Sequence, residues 1–347
     1  MTGSDLDRLV RWFEQCHGHA VGIRPDAGYR IDRLGGRRGT SERFRIRFAR
    51  SAPEPDALVL LKRYGPERNN IDVANELRGL RIAHATLGAS GPERAPTPYA
   101  CSVDDRVLFM EYCPSVPLNK VIFSRLRWSR LAPGASVRAG LIELAAAAGT
   151  LLTRLQAAPV ADGGLGLPTA EQVANRYRAQ LSERLAGWSE HGLHAGLGRR
   201  VREYVSDRLG APADAGGELV FQHSDFGSWN LLHRPGVLYV TDFHNATLGE
   251  REYDVAWFAT ALDCLGRYGI VAPAILAELR STFLRHASLP GAPVRAQARF
   301  RAFAAMHMIY FGCILLATRE PLGELAYLPL DKRRFVEGWF QGWLSLG

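Results

Sequence analysis

The stretch from Leu219 to Phe258, LVFQHSDFGSWNLLHRPGVLYVTDFHNATLGEREYDVAWF, constrains this chain more than any other. Two short β-like runs, Leu219 to Gln222 and Val237 to Val240, each stop where a polar loop begins, and each loop delivers an aspartate, Asp225 and Asp242. Strand ends are where α/β proteins place chemistry. Asp and Asn are also common turn formers, so His223-Ser224-Asp225 alone reads as an ordinary loop. The longer order carries more: Asp225, then Asn230 on the same loop, then Asp242-Phe243 twelve residues after Asn230.

Phosphoryl transfer needs a carboxylate beside the acceptor hydroxyl and two oxygen ligands that hold Mg²⁺ against the nucleotide phosphates. An Asp and an Asn on one tight loop, with a second Asp from the neighbouring strand, supply all three. The pattern resembles the aminoglycoside phosphotransferase and choline kinase family, the small-molecule branch of the protein-kinase-like fold. There the loop reads H-[GS]-D-x-x-x-x-N and is followed by a strand ending in D-[FW]. Tyr253-Asp254-Val255-Ala256 looks like the family's D-[LV]-A segment at the next helix.

The resemblance implies an α+β, bilobal protein-kinase-like fold. Residues 1–110 would form a small N-lobe of antiparallel sheet plus helix, 111–117 a hinge, and 118–347 a larger, mainly helical C-lobe. It implies ATP and Mg²⁺ as cofactors, Asp225 as the catalytic residue at the acceptor hydroxyl, and Asn230 and Asp242 as metal ligands. Two departures stand out. Ser224 occupies a position where glycine is commonest, and His244 follows Asp242-Phe243 where the branch often carries an acidic or small residue. His244 could touch substrate or cap the strand.

Upstream, Leu6, Leu9, Val10 and Phe13 fall at helical spacing in an amphipathic first helix. A strand then leads into Leu34-Gly35-Gly36-Arg37-Arg38-Gly39-Thr40-Ser41, and Phe44-Arg45-Ile46-Arg47-Phe48 alternates as a half-buried strand does. Gly, Thr and Ser between two strands suit a phosphate-covering loop, with Thr40 and Ser41 as nucleotide contacts, although a plain hairpin turn has the same composition. The run Leu58 to Lys62 resembles the third kinase strand, whose lysine contacts the α- and β-phosphates. Lys62 could otherwise be a solvent-exposed strand end. A helical pattern from about Asn70 puts Glu76 where the kinase helix glutamate pairs with that lysine. A hairpin of Tyr99 to Val103 and Val107 to Met110 leads to Glu111-Tyr112-Cys113-Pro114. By resemblance, backbone groups of Glu111 and Cys113 meet the adenine edge there.

Helical patterns follow over Val137 to Leu155, Thr169 to Trp188 and about Leu197 to Leu209, and again from Asp254 through Pro273 to His286, Val294 to Ala317 and Lys332 to Leu344. The aromatics Phe335, Trp339, Phe340 and Trp343 read as core packing. The apolar run between Arg301 and Arg319 is short for a span and contains His307, so a buried helix is expected rather than an integral membrane segment. The first fifteen residues carry charges where an export signal needs an apolar run. Five cysteines with no C-x-x-C read as reduced, intracellular and cytoplasmic. The net charge of +8 comes from scattered arginines and no nucleic-acid module is recognisable, so no nucleic-acid partner is expected.

The expected partner is a small-molecule hydroxyl acceptor, since no A-P-E segment follows Asp242. From residue 271 onward nine Arg and Lys stand against five Asp and Glu, which leans toward a neutral or anionic acceptor such as a sugar or sugar derivative. Aminoglycoside, choline or other amino-alcohol kinases and a protein Ser/Thr kinase of the same fold are the alternatives. A non-catalytic nucleotide-binding protein would normally have lost one of Lys62, Asp225, Asn230 and Asp242, and all four are present.

Overall fold

The computed structural model describes residues 3–24, 28–35, 41–50, 55–65, 73–126, 134–159, 168–191, 194–209, 219–265, 273–288, 291–317 and 331–345. Thr40, most of its glycine loop and Asn70 lie outside the described residues. In chain order the elements begin α1 (Gly3–His17), β1 (Tyr29–Gly35), β2 (Ser41–Phe48), β3 (Ala57–Tyr64), α2 (Val73–Leu87), β4 (Glu93–Arg94), β5 (Pro98–Ser102) and β6 (Val107–Glu111). They continue with β7 (Val116–Pro117), α3 (Leu118–Leu126), α4 (Ala135–Gln156), α5 (Ala170–Glu190), α6 (Ala195–Leu209), β8 (Val220–Gln222), β9 (Leu231–Arg234) and β10 (Val237–Val240). The chain closes with β11 (Thr247–Gly249), α7 (Arg251–Leu265), α8 (Pro273–His286), α9 (Val294–Ala317) and α10 (Lys332–Ser345). It divides into two compact units, Met1–Ser115 with Arg234–Ala246, and Val116–His233 with Thr247–Gly347.

The first unit is built on an antiparallel sheet in the order β1-β2-β3-β6-β5. Side chains alternate faces along a strand. Val59 and Leu61 of β3 therefore join Phe44, Ile46 and Phe48 of β2 on the face where α1 buries Leu9, Val10 and Phe13. Phe13 stacks on Phe109 of β6 with centroids 4.5 Å apart, and burying such a ring stabilises by about 1.5–3 kcal/mol. Lys62 points the other way and meets Glu76 of α2. Residues 234–246 return to this unit late in the chain, and β10 pairs in parallel with β4.

α2 makes a close approach that depends on glycine. A Cβ on Gly79 would lie 2.9 Å from the Cβ atoms of both Phe243 and Ala246. From the turn before Gly79, the Asn75 side-chain amide donates to the carbonyl oxygens of His244 at 3.1 Å and Ala246 at 3.0 Å. The segment after Asp242 is thus fixed to the helix that carries Glu76.

The second unit is mainly helical, with two short antiparallel pairs, β7 with β9 and β8 with β11. α7 and α9 are buried on nearly every side, as core helices are. Among the described residues two helices, α4 and α9, are long and apolar enough to cross a membrane by composition, but 67% of the apolar window of α9 is buried within the protein. Phe340 and Trp343 of α10 pack edge-on against Trp188 of α5 and Tyr204 of α6. α7 starts at Arg251 rather than at Asp254, which places the Asp254 carboxylate inside its first turn. None of the five cysteines is in a disulfide.

Candidate active site

In the first unit Lys62, on central strand β3, is only 8% exposed, which removes the strand-end reading. Its Nζ is 2.9 Å from Glu76 Oε1 and 2.6 Å from Asp242 Oδ1. Burial pushes the ammonium down, but the Asp242 and Glu76 carboxylates outweigh it and hold the lysine above its usual range. Burial raises Asp242 too, yet the adjacent ammonium wins and its carboxyl sits well below the usual range. Glu76 goes the opposite way: burial prevails and raises it, and its Oε2 has no hydrogen-bond partner among the described residues.

Asp242 takes a left-handed backbone, φ +72, just beyond β10, which turns its side chain out of the strand path. His244 Nδ1 donates to Asp242 Oδ1 at 2.8 Å, so this imidazole orients the aspartate. Ser41 opens β2 opposite Tyr64. Glu111 ends β6 with its N–H given to the Thr97 carbonyl at 2.9 Å, and its carboxylate accepts from Thr97 N and Oγ1, each at 3.1 Å. The Glu111 N–H and carboxylate are therefore already taken, and its carbonyl accepts a weak hydrogen bond from Cys113 Sγ at 4.0 Å. Cys113 is buried, and desolvation pushes its thiol up and away from thiolate chemistry.

In the second unit the loop after β8 is held by its own polar groups. His223 N–H donates to Asp254 Oδ2 at 2.7 Å and Ser224 N–H to Asp254 Oδ1 at 2.9 Å. This carboxylate from α7 clamps two successive amides ahead of Asp225. Desolvation pushes Asp254 up to about 7 despite those two donors. Ser224 has φ +67, the left-handed region, and that explains why glycine is the easier residue there. Asp225 N–H donates to His223 Nδ1 at 3.2 Å.

The Asn230 amide nitrogen donates to the Asp225 backbone carbonyl and to Asp225 Oδ2, both at 2.9 Å. Two oxygen acceptors fix the amide orientation, so the Asn230 carbonyl oxygen points away from Asp225. Trp229 Nε1 donates to the other carboxylate oxygen, Oδ1, at 3.2 Å. Behind the loop, the Arg184 guanidinium donates to His307 Nδ1 at 3.0 Å, and His307 Nε2 donates to the Tyr253 carbonyl at 3.0 Å. Burial, with Arg184 beside it, keeps His307 neutral, so the proton is on Nε2.

Lys62, Glu76 and Asp242 are thus brought together in one unit, and Asp225 with Asn230 in the other. Oxygen donors of the kind that Asp242 and the Asn230 carbonyl offer fit a hard cation such as Mg²⁺. Among the described residues no cluster of three or more His, Cys, Asp or Glu is placed to hold a metal. Sequence reasoning gave no role to Asp254, His223, Asn75 or Trp229. The Y-D-V-A segment was the one signal that pointed near Asp254.

Comparison with known proteins follows the same line. No curated protein matches the chain. Among solved structures, a choline/ethanolamine kinase family protein from Mesorhizobium loti is 18% identical with TM-score 0.54, over 98% of this chain and 94% of that one. A choline kinase from Cryptosporidium parvum is 14% identical with TM-score 0.56, over 98% and 94%. A glucosamine kinase is 19% identical with TM-score 0.54, over 94% and 83%. These likenesses establish a protein-kinase-like fold. A sequence model of the phosphotransferase enzyme family matches residues 44–303, from β2 into α9. The match takes in Lys62, Asp225, Asn230 and Asp242, and the chain belongs to the phosphotransferase enzyme family.

Proposed function

We propose that this enzyme transfers the γ-phosphoryl group of ATP to a hydroxyl of a neutral or anionic small molecule, a sugar or sugar derivative. The observation that carries the reading is the state of Asp225. Trp229 and Asn230 hold its two oxygens, and Asp254 fixes the backbone ahead of it. A carboxylate held this firmly can align an acceptor hydroxyl and take its proton as the phosphorus–oxygen bond forms. Lys62, kept charged by Glu76, positions the α- and β-phosphates. The Glu111 carbonyl and Cys113 backbone take the adenine edge, and Thr40 and Ser41 cover the phosphates. Asp242, oriented by His244, and Asn230 would hold Mg²⁺, which neutralises charge on the phosphates when bound.

The sugar reading has two supports. A glucosamine kinase structure with glucosamine, ADP and inorganic phosphate is 19% identical to this chain with TM-score 0.52, and it supports a sugar acceptor though not its neutrality, since glucosamine bears an amine. The basic balance of the C-terminal region is the other, in reduced form, because Arg299 is spent in a buried pair with Glu250 and Arg280 pairs with Asp263. Likeness to choline kinases keeps an amino alcohol as the second reading. Five cysteines with no C-x-x-C suit a reducing compartment, and we place the enzyme in the cytoplasm. The test is a phosphotransfer screen with labelled ATP across sugars, amino alcohols and aminoglycosides. Label transfer to neutral sugars is expected, and transfer to polycations alone, weakened by salt, would return the chain to antibiotic kinases.

A further inference from the structure

Strand β2 carries arginines at alternate positions, Arg43, Arg45 and Arg47, and alternate side chains share one face of a sheet. Phe44, Ile46 and Phe48 point the other way, into the core beneath α1. The arginine face is also the face of Lys62. β2 and β3 pair antiparallel with Arg43 directly opposite Lys62, Arg45 opposite Leu60 and Arg47 opposite Leu58, and residues directly opposite project to the same side. All of them, with Glu76 and Asp242, belong to the first unit.

The three arginines differ in their partners. One oxygen of Asp32 on β1 accepts from Arg45 Nε at 3.1 Å and Nη2 at 2.7 Å, and the same guanidinium lies 5.5 Å from the Tyr112 ring centroid. Arg47 stands 4.0 Å from Asp56. Arg43 is exposed and has no hydrogen-bond or ion-pair partner among the described residues. On its other side it pairs with Gly35, just past the break in register that follows Arg33. A Cβ on Gly35 would meet nothing within 4 Å among the described residues, so that flank of Arg43 is open.

Like charges directly opposite each other on a sheet are destabilising. Lys62 is compensated, with Glu76 at 2.9 Å, Asp242 at 2.6 Å and the Tyr64 ring centroid 4.7 Å from its Nζ. Arg43 is not. Two carboxylates around one ammonium also leave no positive charge to spare for a phosphate chain. The cation that remains is the guanidinium one strand over, exposed and unpaired, whose planar fork of N–H donors matches phosphate oxygens. A neutral side chain opposite Lys62 would spare the sheet the repulsion, and an anion lying across both residues removes it.

Resting on the phosphotransfer reading above, we propose that Arg43 is a second phosphate-binding cation of the nucleotide site. Its guanidinium holds the phosphate chain from β2 while Lys62 holds it from β3. Arg47 shares the face and the charge, but it stands opposite Leu58 and near Asp56, so it serves as the control.

The experiment reads binding rather than turnover. Wild type, Arg43→Gln, Arg43→Lys and Arg47→Gln are titrated by calorimetry with ATP, ADP and inorganic pyrophosphate at one fixed Mg²⁺ concentration, and urea unfolding without ligand is the folding check. Arg43→Gln is expected to weaken all three ligands about tenfold, the worth of a lost charge-assisted hydrogen bond. Arg43→Lys, which keeps the charge, should lose less, and Arg47→Gln should stay within about twofold of wild type. The gap between wild type and Arg43→Gln should narrow from about 0.05 M to about 0.5 M salt, as an exposed charge contact is screened. The urea midpoint of Arg43→Gln should not fall, because the change removes a like charge opposite Lys62. ATP affinity within about twofold of wild type in Arg43→Gln overturns the proposal and leaves the phosphotransfer reading standing. So does a loss that Arg47→Gln reproduces, or one that comes with a lowered midpoint, since a residue that merely shapes β2 would act in that way. Weaker ATP and pyrophosphate binding in Arg43→Gln sustains the site even if no acceptor receives phosphate, and then the phosphotransfer reading alone fails. A wild type that binds neither ATP nor pyrophosphate sinks both.

Discussion

Lys62 and Asp242 lie 180 positions apart in sequence, and their charged atoms are 2.6 Å apart. With Glu76 at 2.9 Å, one buried ammonium serves two carboxylates. Removing one partner of a buried ion pair leaves uncompensated charge and costs about 3–5 kcal/mol. Lys62→Met is expected to lose that much in urea unfolding at neutral pH. Lys62→Met with Glu76→Gln should be at least about 1 kcal/mol more stable than the sum of the single changes, because the second removes the charge the first strands. Strict additivity would mean that Lys62 and Glu76 are not coupled.

Asp225→Ala should lower turnover by about 10²–10⁴-fold, the span of a lost general base. Nucleotide affinity, read by calorimetry, should hold, since no part of the adenine or phosphate contacts is assigned to Asp225. Parallel loss of ATP affinity and turnover would contradict its place at the acceptor.

Asp242→Asn should instead lose the Mg²⁺ dependence of nucleotide binding, because it takes an anionic ligand from a hard cation. The check is ATP titration at several Mg²⁺ concentrations. An unchanged requirement would move the metal to other ligands.

Gly79→Ala inverts the usual sign. In a helix interior alanine is normally favoured over glycine by roughly 0.5–1 kcal/mol. Here the added methyl would meet Phe243 and Ala246 at 2.9 Å, so a loss of about 1–3 kcal/mol is expected. Because those residues follow Asp242, KM for ATP should rise as well. A stabilised Gly79→Ala protein would show that the helix can move away without consequence.

Asp254 makes stability depend on pH in a defined direction. Its carboxyl is held at about 7 against an ordinary 3.8, so the folded state keeps a proton that the unfolded chain releases. The contribution is full below about pH 4 and is lost as pH rises through about 7. Asp254→Asn cannot titrate. The stability difference, wild type minus variant, should therefore shrink between pH 5 and pH 8 in urea unfolding, and a difference that grows over that range would reverse the assignment.

The sequence showed most where one residue type in a regular pattern has one physical solution. Alternation from Phe44 to Phe48 became a strand with Phe44, Ile46 and Phe48 buried. Lys62 and Glu76 could be paired because a buried lysine needs an acid and Glu76 was the one at hand on the next helix. Asp254 was harder. Its role is to bind two amides of a loop thirty positions away, and no spacing rule connects a helix carboxylate to a distant backbone N–H. Trp229 drew no reading from the sequence, because a hydrogen bond from an indole depends on a ring orientation that Gly227 permits. The charge count misled in part, since Arg299 is buried against Glu250 and does not face solvent.

The late return of residues 234–246 to the first unit sets the timing of its assembly. When Ser115 has been synthesised, β4 still lacks its parallel partner β10, and Lys62 still lacks Asp242. At about 5–20 residues per second a ribosome needs on the order of ten seconds more to supply them. Until then Lys62 has only Glu76 of its two carboxylates, and the two-residue β4 has no parallel partner. An N-terminal fragment ending at Ser115 would remain in that condition permanently.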